Sequence, residues 1–284
     1  MQTVQTIPTV FSNLISNAAD IPKLTHSEAG VLAREELSRF IQLVETLGGD
    51  DWNQPTYCTL WSVRDILAHQ AGAYAGFTSW AEFRRQYVDN PYQKTEKAPI
   101  DGINRRQIED RAGKTPVDLL AELREVGPKA IKTRQKLPAL LRALPIMPMG
   151  PPIGFAPIGY LTDDIYPRDT WSHRLDISHA IGREMLLTPE HDGRLTALIV
   201  KDLERTLRSK LGGKAVMYEL TGPAGGAWQI GRGTHSVTLT MDVIDFHLLA
   251  SGRMTAEAIL KDKVTITGDL DLGRLALENT TVLY

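Results

Sequence analysis

The chain has 284 residues, 42% of them hydrophobic, which is enough apolar material for one large globular domain or two ordinary ones. With 32 basic and 34 acidic residues, the formal net charge of -2 excludes a strong attraction to nucleic acid or anionic lipid. The single cysteine, Cys58, excludes an internal disulfide and a cysteine-based zinc site, and no secretory signal or membrane span is apparent. These features predict a cytoplasmic globular protein.

Two amphipathic helices are predicted in the first part of the chain. Residues 28–47 place apolar side chains at helical spacing, and a pair of glycines ends the run. After a turn, a second, long helix begins near Ser62, which stands three residues before Asp65 as in a capping box. His69 therefore lies about two turns into this helix.

Two more helical regions follow, separated by an unusual segment. Residues 102–139 predict a third helical region, interrupted near Gly113 and capped again at Thr115. The stretch 145–167 is rich in proline and glycine but otherwise apolar, so neither a helix nor a polar tail fits. We expect a long loop, which either forms a wall or lid over a pocket or simply packs across the bundle. The apolar residues expected to pack over the mouth of the bundle are Ile153, Phe155, Ile158 and Tyr160. Pro167 then begins a fourth helix.

Beyond Pro189 the pattern changes from helical periodicity to short alternating runs, which predict strands separated by glycine-rich turns. We expect these strands to form a meander flanked by helices. The predicted elements are a helix at 195–211, strands at 215–220, 227–232, 236–241 and 263–269, and helices at 243–250 and 272–283.

The predicted fold class is therefore an α domain followed by a smaller α+β domain. Residues 1–27 are interpreted as an N-terminal extension, 28–187 as the helical domain and 188–284 as the α+β domain. Four predicted helices suffice for a four-helix bundle.

A group of three residues has the chemistry of a metal site. Asp169 and His173 are four positions apart on the predicted fourth helix, so they share one face, with Cβ atoms about 6 Å apart. Such a pair can hold one divalent ion with His69 as third ligand, leaving a position open as in catalytic zinc sites. The set also suits iron, nickel or manganese. Alternatively, Asp169 and His173 form a surface pair, or Asp169 is a carboxylate that caps the helix N-terminus. His69 is then a core histidine with hydrogen-bond partners.

Two further residues, Cys58 and Asp176, carry side chains that could take part in chemistry. Cys58 lies just before the second helix, so it is either a thiol activated by the helix dipole or a small buried residue. Asp176, three residues after His173, is expected to orient a metal-bound histidine rather than to bind the ion. A hydrolase triad of Ser172, His173 and Asp176 is excluded, because neighbouring positions on one helix cannot align nucleophile, base and orienting group.

Two sequence signatures carry a family resemblance. Residues 55–69, PTYCTLWSVRDILAH, resemble the first signature of the mycothiol-dependent maleylpyruvate isomerase family, a branch of the DinB-like metal-binding four-helix bundles. Residues 169–177, DTWSHRLDI, resemble the second signature, and 104–126 resemble the family's third-helix segment. Together the matches span roughly 28–187.

The resemblance implies a divalent metal, with Zn²⁺ as the first choice, held by His69, Asp169 and His173. The best-known isomerase of the family has glutamate where this chain has Asp169, which is one methylene shorter. The resemblance also implies an enzyme that uses mycothiol as cosubstrate for isomerisation or S-transfer on a small electrophilic substrate. A coordinated thiol loses its proton at neutral pH and can then add to an electrophile.

The C-terminal half resembles the sterol carrier protein type-two-like fold, on the strand and turn at 264–269 and the apolar helix that follows. The family resemblance further suggests that a basic residue of this half reaches the bundle's site. Arg253 is our candidate, because its guanidinium can hold a substrate carboxylate at two points. Two other functions stay open: a lipid or small-molecule carrier whose bundle is a metal-stabilised scaffold, and a metal-dependent hydrolase.

Overall fold

The computed structural model describes residues 16–150 and 154–284, with the backbone alone at 148–150. The helices in these ranges are α1 His26–Glu45, α2 Val63–Ala75, α3 Trp80–Tyr87, α4 Pro99–Glu109, α5 Pro116–Gln135, α6 Ala139–Arg142, α7 Tyr166–Ala180, α8 Asp192–Leu207, α9 Val243–Ala250, α10 Ala256–Asp262 and α11 Leu270–Glu278. The strands are β1 Ser16–Asn17, β2 Met147–Gly150, β3 Gly154–Ala156, β4 Ala215–Thr221, β5 Gly226–Gly231, β6 His235–Asp242 and β7 Val264–Gly268.

The described residues form two compact units. Leu24–Leu186 is the helical unit, and residues 16–23 join Leu187–Leu283 in the second unit, which contains a five-stranded sheet. The α and α+β division is as predicted. Residues 16–23, however, are not a free extension, because β1 pairs with β5; the earlier part of the predicted extension lies outside the described residues. Along the described chain, no helix combines the length and apolar character needed to cross a membrane.

The helical unit is a four-helix bundle built from α1, α2, α5 and α7. Each helix contributes fully buried apolar side chains to one core, among them Phe40, Leu67, Leu123 and Ile177. Burying a side chain of this size contributes about 1.5–3 kcal/mol relative to leaving it in water, so this core is the main stabilising element of the unit. The bundle predicted from four amphipathic segments is confirmed.

Helix starts in the bundle follow the predicted capping signals. The Ser62 hydroxyl accepts from the backbone N–H of Asp65, whose carboxylate accepts from the backbone N–H of Ser62. Thr115 forms the same box at the start of α5. The prediction of a single long second helix is wrong, because the chain turns after α2 and Ser79 caps a separate helix, α3.

The segment 145–167 is not the structureless loop that its composition predicts. Here β2 and β3 pair antiparallel, and Tyr160–Ile165 winds as a π-helix directly into α7. Ala156 is buried, but Phe155 is 69% exposed, so the expectation that this aromatic ring packs over a pocket is not met in the structure. Ile153, also expected to pack, lies outside the described residues.

The sheet of the second unit has the order β1-β5-β4-β6-β7. β4 and β5 form the predicted antiparallel hairpin, but β6 pairs parallel with β4, so the predicted meander is wrong. The reason is that β1 occupies the far edge of β5, which leaves β6 only the free edge of β4. α8 begins and ends earlier than predicted, and α10 was missed between α9 and β7.

Candidate metal centre

The three predicted ligands meet between α2 and α7 in the helical unit. His69 comes from the middle of α2, and Asp169 and His173 come from successive turns of α7. One donor atom from each residue lies within 4.8 Å of the other two, and the imidazole centroids of His69 and His173 are 4.9 Å apart. The structure therefore brings together the three residues that are predicted as ligands.

The carboxylate of Asp169 lies between the two imidazoles. Its Oδ2 is 3.4 Å from His69 Nε2, and its Oδ1 is 3.4 Å from His173 Nε2. Bond lengths near 2.0 Å around a tetrahedral ion place neighbouring nitrogen and oxygen ligands roughly 3.3 Å apart. The observed separations match such an edge better than they match a hydrogen bond, which is usually near 2.9 Å.

His69 gives the most direct sign that a ligand belongs here. The residue is only 4% exposed, yet neither Nδ1 nor Nε2 has a hydrogen-bond partner among the described residues. An unsatisfied buried polar group costs about 1–3 kcal/mol, so native structures seldom leave one without a reason. A divalent ion coordinated by one of these nitrogens would remove that cost, and the donor set fits such an ion.

The charges in the site are coupled. Burial favours the neutral acid at Asp169, but the imidazoles of His173 and His69 outweigh it and hold the pKa of this carboxyl well below its usual range. Burial also opposes a charge on His173, but the Asp169 carboxylate outweighs it and raises the pKa of the imidazole well above its usual value. Asp169 is thus an anion that attracts positive charge, whether a proton on His173 or a metal ion.

Hydrogen bonds from neighbouring residues fix the orientation of two ligands. His173 Nδ1 lies 2.8 Å from Asp176 Oδ2, so Asp176 has the orienting position expected of it. Gln70 Nε2 donates to Asp169 Oδ2 at 2.7 Å, and Gln70 Oε1 accepts from the hydroxyl of Thr170 at 3.0 Å. Gln70 therefore cannot rotate its amide without losing one of these bonds, and it holds the short aspartate side chain in place.

An aromatic ring covers the two imidazoles. The Trp61 ring centroid lies 5.0 Å from that of His69 and 5.7 Å from that of His173. Trp61 also packs against the bundle core, so it serves both as a core residue and as an apolar cover that limits the access of water to the candidate ligands. Trp171, on α7, is 1% exposed.

Sequence reasoning missed two residues of the site. Gln70 follows His69 directly, and no rule singles out a glutamine in an apolar stretch of helix. Cys58 was weighed without a histidine near it in sequence, but its Sγ lies 3.6 Å from Asp176 Oδ2, beside His173. Arg253 follows α9 in the second unit, and its role in the site stays a prediction.

The bundle and its His, Asp, His group define a class of protein: a four-helix bundle with a candidate metal centre between two of its helices. A sequence model described as "Mycothiol maleylpyruvate isomerase N-terminal domain" matches residues 33–178, more than half of the chain, and the chain belongs to this family. The family predicted from the two signatures is confirmed, and with it the expectation of an enzyme.

Solved structures agree with this assignment at the level of the fold. The mycothiol-dependent maleylpyruvate isomerase and a point mutant of that enzyme have TM-scores of 0.56 and 0.55 to this chain. In both comparisons the identity is 14%, over 90% of this chain and 97% of the other. A search among curated proteins gives no match. The two isomerase structures therefore share their architecture with this chain along nearly its whole length.

Proposed function

We propose that this protein is a metal-dependent enzyme that uses a low-molecular-weight thiol, mycothiol. It acts on a small electrophilic substrate as an isomerase or as an S-transferase. The observation that carries the proposal is the convergence of His69, Asp169 and His173, together with the absence of any hydrogen-bond partner for the buried His69 imidazole among the described residues. Membership in the isomerase family supports the thiol and the reaction class. A thiol kept reduced also fits the cytoplasmic location predicted from the single cysteine.

His69, Asp169 and His173 would hold the divalent ion, for which Zn²⁺ is our first choice. Such an ion supplies positive charge that favours the thiolate form of the cosubstrate at neutral pH. Gln70 and Asp176 keep the Asp169 and His173 side chains in their orientations, and Trp61 covers the imidazoles from water. The protein thus contributes metal-ligand atoms that are held in fixed orientations and are partly shielded from water.

For a substrate like maleylpyruvate, the cis double bond is the electrophile. Addition of the thiolate turns this double bond into a single bond, rotation follows, and elimination of the thiolate restores the double bond in the trans form. We propose that Arg253 holds a carboxylate of the substrate during these steps, because a guanidinium pairs with a carboxylate at two points.

The proposal is tested by metal analysis and a thiol-dependent assay. Protein purified without added metal should contain about one equivalent of a divalent ion, and should isomerise maleylpyruvate only when mycothiol is present. Arg253→Lys keeps the charge but loses the planar fork, so the substrate KM should rise while metal content stays the same. Turnover without thiol, or full turnover after chelation of the metal, would rule out the proposed chemistry.

A further inference from the structure

A second group of donor atoms lies on the opposite side of the His173 ring. Cys58 Sγ is 3.6 Å from Asp176 Oδ2, and His173 Nδ1 is 2.8 Å from the same oxygen. These three donors also lie within 4.8 Å of one another. Asp176 is fully buried, His173 is 4% exposed, and Cys58 is partly exposed at the edge of the group.

The Cys58–Asp176 distance suits a tetrahedral ion, whereas the His173–Asp176 distance is that of a hydrogen bond. Bond lengths of about 2.3 Å to sulfur and about 2.0 Å to oxygen or nitrogen give ligand separations of roughly 3.5 Å for S–O and roughly 3.3 Å for N–O. The observed Cys58–Asp176 distance of 3.6 Å already matches, and the His173–Asp176 distance of 2.8 Å would need to open by about 0.5 Å. Cys58 is partly exposed, so this group reaches solvent at the sulfur donor.

We propose that Cys58, His173 and Asp176 form a second, thiolate-containing cation position that takes thiophilic divalent ions such as Cd²⁺ and Zn²⁺. A sulfur donor favours these ions over Mn²⁺ or Mg²⁺, whereas the two imidazoles and one carboxylate of the first group are less selective. On binding, the thiol of Cys58 loses its proton to solvent and the imidazole binds through Nδ1 with its proton on Nε2.

The two positions exclude one another at His173, and this part of the inference rests on the proposed function. A neutral imidazole has one nitrogen lone pair, so His173 can use Nε2 toward His69 and Asp169, or Nδ1 toward Cys58 and Asp176, but not both. An ion in the second position also removes the hydrogen bond by which Asp176 orients the ring. A thiophilic ion held there would therefore inhibit the proposed reaction.

Cd²⁺ titration of the full-length, metal-free protein tests the site directly. Cadmium bound to a thiolate absorbs in the ultraviolet, and because Cys58 is the single cysteine of the sequence, the absorption reports this residue alone. We expect a band that saturates at one equivalent and is absent in Cys58→Ser. Asp176→Asn and His173→Ala should each weaken Cd²⁺ binding at least about tenfold. His69→Ala is the matched control: His69 lies outside this group and belongs to the competing position, so this variant should keep the band, with an affinity equal to or higher than that of the parent.

Two outcomes would overturn the inference: no band in the parent protein, or a band whose affinity is the same in Asp176→Asn and His173→Ala, which would mean a lone thiol. Asp176 is fully buried, so its substitution can disturb the fold. A second measurement avoids this variant: bound Cd²⁺ should protect the Cys58 thiol from an alkylating reagent in the parent and in the His69→Ala protein. Alkylation of Cys58 in the parent at the same rate with and without Cd²⁺ would also contradict the site. If thiol-dependent isomerisation fails while the band behaves as expected, the proposed function falls and the cation position stands.

Discussion

Two buried histidines, one in each unit, show what distinguishes a structural imidazole from one that needs a ligand. His247 in α9 is fully buried, and its Nε2 lies 2.9 Å from the hydroxyl of Thr196, which itself donates to the carbonyl of Asp192. His69 in α2 is buried to nearly the same extent, but neither ring nitrogen has a hydrogen-bond partner among the described residues. The fold gives the first imidazole a hydrogen bond, whereas the second has a 3.4 Å ion-pair contact with Asp169 and no hydrogen bond among the described residues.

The largest difference between the two histidines is expected when each is replaced by alanine and metal binding is measured. His69→Ala should lower the affinity for Zn²⁺ or Co²⁺ at least about 100-fold, because it removes one of three protein ligands. His247→Ala should bind the ion as the parent protein does, although it will be less stable. Calorimetric titration of the metal-free proteins gives both numbers. Equal losses in the two variants would show that His69 is no more a ligand than His247.

The pH dependence of metal binding tests the charges around Asp169. Because an ion must displace the proton from His173, and the pKa of that imidazole is raised well above 6.5, affinity should fall about tenfold per pH unit below the raised value. In the metal-free protein, the stabilising contribution of His173 is complete below pH 6.5 and is lost as pH rises through its raised pKa. Asp169 acts in the opposite sense: its contribution is present above 3.8 and is lost as pH falls through its lowered pKa.

Binding titrations and thermal unfolding between pH 5 and pH 9 measure these two effects together. A metal affinity that stays constant over this whole range would contradict the protonated state of His173, which the Asp169 carboxylate stabilises in the metal-free site.

A smaller effect is expected at Gln70, which touches a ligand rather than the ion. Gln70→Leu removes the 2.7 Å hydrogen bond to Asp169, so the carboxylate is free to turn and metal affinity should fall about tenfold. Gln107→Leu is the matched control: this buried glutamine donates to Gln86 instead, so its loss should reduce stability without changing metal affinity. A loss of affinity that is the same for both variants would indicate a general disturbance of the bundle.

The smallest effects concern stability alone. His69→Leu replaces a ring that has no hydrogen bond among the described residues, but it also removes the 3.4 Å contact with Asp169, so the stability of the metal-free protein should change by less than about 1 kcal/mol. Thr196→Val removes the hydroxyl at His247 and should lower the free energy of unfolding by about 1–3 kcal/mol. Denaturant unfolding of metal-free samples measures both. A clear loss of stability in His69→Leu would mean that the fold already satisfies this imidazole.

Local signals in the sequence predict much of the bundle. The capping residues Ser62 and Thr115 act on backbone groups three residues away, so a short window contains all the information. The spacing of Asp169 and His173 is equally local. The break before α3 is harder to predict, because the apolar pattern continues through Phe77 and only the serine cap at Ser79 interrupts it.

Contacts between distant parts of the chain are where prediction from the sequence ends. The strands of the second unit are visible as alternating runs, but their order depends on β1, a two-residue strand far from β5 in sequence. Cys58 likewise meets Asp176 only because α2 and α7 pack together, and no spacing rule connects positions 118 residues apart. The ligands His69 and His173 face the same difficulty and are paired in the sequence by the family resemblance alone.

The pairing of β1 with β5 has a consequence for how the chain is made. Residues 19–22 are also held to α8, where Lys201 and Arg194 donate to their backbone carbonyls. The first described segment thus leaves the ribosome long before its partners, while the whole bundle, Leu24–Leu186, is contiguous and can fold in between. Among the strands of this sheet β1 is synthesised before the others, and its pairing must wait until β5 has been made. A fragment that begins at residue 187 would expose the β5 edge that β1 covers, and such an open edge invites pairing with other chains.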